Sequence, residues 1–145
     1  MGAEPLGPAP FYFKRMNKLI LILLPVFLLS FAEALPAQEP PKLVVRNRVI
    51  QLDSIPSRQD TTLVFHYENK GGSPLEIFNM IPGCTCVVPD YSKEPLMPGD
   101  STSFTVRFTP SHPGPFSQAV TIVYAAPGSP QYEITRVAIR GKAHE

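Results

Sequence analysis

Apolar and polar residues alternate with a period of two along several short runs of this chain. In "STSFTVRFT", residues 101–109, Phe104, Val106 and Phe108 share one parity, while Ser103, Thr105 and Arg107 share the other. Successive side chains leave a strand on opposite faces, so those three apolar residues are predicted to point into a core. "TTLVFHYEN", residues 61–69, repeats the pattern with Leu63, Phe65 and Tyr67 inward and Thr62, Val64 and His66 outward. The runs at 43–52, 74–81, 116–126 and 131–141 are rich in Val, Ile, Phe, Tyr and Thr and bounded by Gly and Pro, which also reads as strand. In the last of them Tyr132 and Ile134 lie on one parity and Val137 and Ile139 on the other, predicting a bulge near Thr135 and Arg136. No segment after residue 37 carries the spacing of a helix.

The punctuation between runs agrees. "NKGG", residues 69–72, offers two glycines that accept positive φ, as a tight strand connection requires. "MPGD", residues 97–100, places Pro98 and Gly99 as a type II turn wants them, and "SHPGP" and "APGSP" interrupt the later strands. Six clear strands and a short one over 86–89 predict an all-β fold, an immunoglobulin-like antiparallel β-sandwich of about seven strands.

The first quarter of the chain departs from this pattern. Lys14, Arg15 and Lys18 precede an apolar run over residues 19–32 that carries Pro25, and the small residues of "AEALPAQ" follow. A basic end, an apolar middle and a small-residue cleavage site make a secretory signal peptide. The run is shorter than the roughly 20 residues of a spanning helix, so a cleaved signal is expected over a permanent anchor. Cleavage after Ala34 and cleavage after Ala37 both fit, and "MNKLILILL" makes Met16 a candidate start. The expected organisation is residues 1–37 as N-terminal extension and signal peptide and residues 38–145 as one sandwich domain, periplasmic or secreted. Membrane contact is expected only through an uncleaved signal segment.

Charge removes one class of function. With the signal gone, ten basic and ten acidic residues remain, and the basic ones are scattered. Nucleic-acid binding needs a concentrated positive face to displace counterions from phosphates, so no nucleic-acid partner is expected.

The mature region carries, in order, Asn69 with Gly71, Pro74-Leu75-Glu76-Ile77, Cys84-Thr85-Cys86, Pro98-Gly99, the alternating Phe104 to Phe108, and Gly114. By these residues it resembles the bacterial family known as domain of unknown function 1573. Thr85 and Val87 stand where the family commonly reads Cys-Gly-Cys-Thr. The resemblance implies an immunoglobulin-like sandwich akin to PapD-like and ASPM-SPD-2-Hydin modules, exported by bacteria such as the Bacteroidetes, and implies no established activity.

The candidate chemistry rests on Cys84 and Cys86, the chain's two cysteines. A disulfide between them would close a three-residue loop, worth about 1.6 kcal/mol by loop entropy, against about 3 kcal/mol for a 15-residue loop. On an extended strand the bridge would be strained and easily reduced, a labile redox element and a poor staple. The plainest alternative makes the two thiols small interior side chains. As thiolates they would also make a soft-metal site suited to Cu(I), with Met80 and Met97 as thioether donors. Structural zinc wants four ligands, and no partner pair is spaced for it.

Conventional catalysis finds little support, so the chain is not expected to be an enzyme, and a hydrolase is a distant third reading. There is no nucleophile elbow, no phosphate-cradling glycine loop, and no cluster of histidines with carboxylates. His66 is expected on a strand face, His112 in a Pro-Gly turn and His144 in a frayed tail, all solvated. Tyr91, Ser92 and Lys93 form a candidate recognition loop. The sequence therefore points to a non-catalytic binding or scaffold module of the bacterial cell envelope, holding a protein or glycan partner by a sheet edge or end loops. Copper binding or thiol redox handling through Cys84 and Cys86 is the alternative.

Overall fold

A computed structural model describes Gly2 and residues 37–145. The signal-peptide reading and the start at Met16 lie outside the described residues. Residues 38–145 form one body of eight strands. In chain order these are β1 (Leu43–Val45), β2 (Val49–Pro56), β3 (Thr61–Asn69), β4 (Glu76–Pro82), β5 (Val87–Asp90), β6 (Ser101–Phe108), β7 (Gly114–Ala125) and β8 (Glu133–His144). They make two four-stranded sheets, ordered β1-β3-β6-β5 and β2-β8-β7-β4.

The alternating rows become the core. Leu63, Phe65 and Tyr67 of β3 and Phe104, Val106 and Phe108 of β6 are all buried, while Thr62, Val64 and His66 are exposed. Phe65 lies opposite Phe104 in the ladder, and their rings stack with centroids 5.1 Å apart. Such a pair contributes about 1 kcal/mol beyond its burial. From the second sheet Val120, Ile122, Val137 and Ile139 complete the interior, and Phe116 of β7 meets Phe108 of β6 at 4.7 Å, joining the sheets at one end. Tyr67 also lies in the core, and burial raises its hydroxyl pKa above the ordinary value.

Four expectations change. The run over 43–52 is two strands in different sheets, which raises the count to eight. Arg46, Asn47 and Arg48 are exposed and interrupt the alternation, and there the chain crosses from one sheet to the other. Nor is the sandwich wholly antiparallel, because β2 runs parallel to β8. This pairing needs Gly141, since a Cβ there would collide with the carbonyl of Leu52 and sit 2.9 Å from the Phe116 ring.

The bulge expected near Thr135 and Arg136 is absent, as β8 pairs with β7 in unbroken register over that stretch. Ile134 simply faces solvent, a placement parity alone cannot distinguish from an inward one. Register shifts occur instead in β4, between Ile77 and Asn79, and in β2, between Leu52 and Ile55. Finally, Gly71 and Gly72 do not need positive φ, and the strands they separate belong to opposite sheets. Gly71 is required by space, because a Cβ would strike the Pro40 carbonyl and approach Pro41 Cα to 2.6 Å. The Pro98-Gly99 turn forms as expected, with Gly99 at φ 83° and the Asp100 N–H donating to the Met97 carbonyl at 3.1 Å.

Candidate functional site

The two cysteines lie where the chain leaves β4 in one sheet and enters β5 in the other. They are joined by a disulfide, with Cα atoms 5.2 Å apart, inside the usual range. The segment is a turn and not the extended strand expected from sequence, which removes the anticipated strain in Cα spacing. The Val87 N–H donates to the Cys84 carbonyl at 3.3 Å, closing the turn. On one flank the Gly83 N–H donates to Ala119 O at 2.9 Å, and on the other the Thr109 N–H donates to Cys86 O at 3.0 Å. Both cysteines are half-buried and rest against the edge of the core, while Thr85 between them is exposed.

This arrangement replaces the reading of two free interior thiols. It also limits the metal reading, because bridged sulfurs carry no thiolate charge and soft-metal ligation by Cys84 and Cys86 belongs to the reduced pair alone. Met80 is buried within the core and Met97 is exposed on the turn before β6. Among the described residues no three His, Cys, Asp or Glu side chains gather into a group that would hold a metal ion.

The histidines stay dispersed. His66 lies on the outer face of β3 and His112 in an exposed turn. His144 belongs to β8, not to a frayed tail: its Nδ1 is 2.8 Å from Ser54 Oγ, and its carbonyl accepts the Ser57 N–H at 2.7 Å. Both contacts fasten the last strand to β2. In the loop over 91–93, Tyr91 packs against the core and Ser92 Oγ accepts the Glu94 N–H at 3.1 Å, so packing and a local hydrogen bond hold its conformation.

A feature the sequence reading missed lies on the free edge of the second sheet. β1 and β5 are edge strands of three and four residues, the latter containing Pro89. β2 is an edge broken by a bulge and carrying Asp53 and Pro56. Each of these blunts an exposed ladder. β4, "EIFNMIP", has a bulge but keeps its charge and its proline at its two ends, Glu76 and Pro82, and between them it carries apolar side chains on both faces.

Ile77 and Met80 enter the core, while Phe78 and Ile81 are exposed, at 43% and 50%. The Phe78 ring meets Tyr132 edge-on at 4.8 Å. The register extends the outer face from Asn79 through Val123 to Ile134, which is 63% exposed. An uncovered group of large apolar side chains beside a sheet edge is unusual on a protein surface. The signal was present in "PLEIFNMI", which is apolar on both parities and does not alternate.

The profile of the family described as protein of unknown function (DUF1573) matches residues 43–142. Among solved structures the chain is similar to the ASH/PapD-like domain of human CEP192, at 15% identity and a TM-score of 0.57, over 72% of this chain and 86% of that one. It is similar to a protein of unknown function from Porphyromonas gingivalis W83 at 15% identity and a TM-score of 0.59, over 75% of this chain and 50% of that one. The YadV chaperone follows at 11% identity and a TM-score of 0.56, over 71% of this chain and 52% of that one. The chain thus spans about half the length of the latter two proteins. At these identities the structural similarity shows a shared fold alone. No curated protein matches the chain in sequence.

Proposed function

The chain belongs to the DUF1573 family of proteins of unknown function, and from that membership and its PapD-like sandwich we propose an exported, non-catalytic binding or scaffold module of the bacterial cell envelope. The observation that carries the reading is the β4 edge, with Phe78, Ile81, Tyr132 and Ile134 uncovered beside an open ladder. An edge strand offers unpaired N–H and C=O groups to an incoming strand, and alternating apolar side chains give that addition specificity. The partner is a protein segment laid along β4 in extended conformation, its apolar side chains covering Phe78 and Ile81. The basic, apolar and small-residue layout of the first 37 residues supports export to the periplasm or beyond. A similar solved structure is a chaperone, and partner binding through such a sandwich agrees with that likeness.

A photo-crosslinking amino acid at Asn79, in the full chain expressed in its native envelope, tests this. A discrete protein adduct is expected at Asn79, lost when Ile81→Lys is added. A crosslinker at Val64, exposed on the opposite sheet, should give no such adduct. Equal yields at the two positions, or an adduct indifferent to Ile81→Lys, would rule the reading out.

A further inference from the structure

We infer that the Cys84–Cys86 bridge is a thiol–disulfide exchange centre that takes electrons from protein dithiols. This goes beyond partner binding at β4 and does not depend on it. Three observations bear on it.

The first is loop size. The bridged residues are separated by one residue, so the bond constrains the unfolded chain very little. The sheets are held by the interior of Phe65, Phe104, Val106, Ile122 and Ile139, far along the chain from the bridge. A bridge that contributes so little to holding its own protein together is easily given up to a dithiol that closes a longer, better-stabilised loop elsewhere.

The second is anchorage without sulfur. The hydrogen bonds of Gly83 to Ala119, Thr109 to Cys86 and Val87 to Cys84 fix the backbone on both sides of the turn, and Val87 is buried opposite Phe108. Breaking the bond therefore requires no strand to move, and the two sulfurs stay close enough to re-form it. Preorganisation of this kind favours an intramolecular step over a bimolecular one.

The third is access. Cys84, Thr85 and Cys86 lie at the surface of a crossover, with Thr85 exposed, so an attacking thiolate reaches a sulfur without opening the core.

The chemistry balances as a two-electron exchange. A client thiolate attacks one sulfur of the bridge, forming a mixed disulfide and releasing the other cysteine as a thiolate, which takes up a proton. The client's second thiol loses its proton and attacks the client sulfur of the mixed disulfide, forming the client's own disulfide and expelling the second cysteine as a thiolate that takes up a proton. The client leaves oxidised and Cys84 and Cys86 remain as a dithiol. A small-molecule disulfide, such as oxidised glutathione, closes the pair again and departs as two thiols.

The test uses the purified full chain, oxidised, mixed anaerobically with a reduced two-cysteine peptide of about 15 residues between thiols, then acid-quenched, alkylated and weighed. The expected result is one peptide disulfide formed for each Cys84–Cys86 pair reduced, at least tenfold faster than with the same concentration of oxidised glutathione. Cys86→Ser, which cannot form the bridge, should leave the reduced peptide unoxidised. A bridge that persists in excess peptide would overturn the proposal. So would a Cys84→Ala, Cys86→Ala variant that has lost its β-sheet circular dichroism, because the bond would then be a structural staple.

Discussion

The side-chain oxygen of Asn69 accepts the backbone N–H of Gly71 at 3.0 Å, and the same oxygen accepts the Lys42 N–H at 3.2 Å. The amide nitrogen donates to the carbonyls of Ser73 at 2.8 Å and Leu96 at 3.0 Å. One fully buried carboxamide thus ties together the entrance to β1, the end of β3 and the segment before the Pro98-Gly99 turn. Replacing Asn69 by Ala strands these backbone groups in the interior. The expected loss is about 3 kcal/mol, read as a fall in the urea midpoint with an unchanged slope. An Asn69→Ala variant as stable as the parent would remove this keystone role.

Gly71 and Gly99 separate two reasons for glycine. At Gly71 a Cβ meets the Pro40 and Pro41 backbone, which cannot swing aside, so Gly71→Ala should cost more than Gly99→Ala. At Gly99 the space is open and only the positive φ resists, a penalty of about 1 kcal/mol. Chemical denaturation of the two variants should rank them in that order.

The outer β4 patch should contribute to binding and not to stability. Ile81→Lys changes an exposed position, so its unfolding free energy should stay within about 0.5 kcal/mol of the parent. The same change should abolish the Asn79 adduct. A large destabilisation would mean that Ile81 serves the fold.

Removing the disulfide should cost little. Cys84→Ala with Cys86→Ala is expected to lower stability by about 1.6 kcal/mol or less, since a three-residue loop is all that opens. Thermal melting in the presence and absence of reductant measures the same quantity on the unaltered chain.

Tyr67 gives the domain an alkaline limit. Its buried hydroxyl ionises less readily than in the unfolded chain, so its folded pKa lies above 10.0. Below pH 10 both states hold the proton and stability is unaffected. Above it the unfolded chain releases the proton first, and stability falls by at most about 1.4 kcal/mol per pH unit until the folded pKa is passed. Tyr67→Phe should flatten that part of the curve in denaturation measured between pH 9 and pH 11.5.

Much of the fold was legible because side-chain parity carries it. β3 runs over Thr61–Asn69 as read from sequence, and the inward row of β6 is the expected Phe104, Val106 and Phe108. Sequence alternation reports which face is buried but not which strand lies alongside. The parallel pairing of β2 with β8, the crossover at Arg46 to Arg48 and the solvent-facing Ile134 depend on partners distant in sequence. The cysteine segment was misread for a related reason. A short stretch that turns between sheets has no periodicity, and its geometry is set by Ala119 and Thr109, remote residues that hold its flanks.

The place of β8 has a consequence for when the molecule acquires its shape. β8 is an inner strand of its sheet, inserted between β2 and β7. A polypeptide delivered from its amino end, whether from a ribosome or through a narrow channel, holds β2 without a neighbour until β8 arrives, about eighty residues later in the chain. Closure of this sheet therefore waits for β8, and the segment from β2 to β7 stays threadable until β8 has passed.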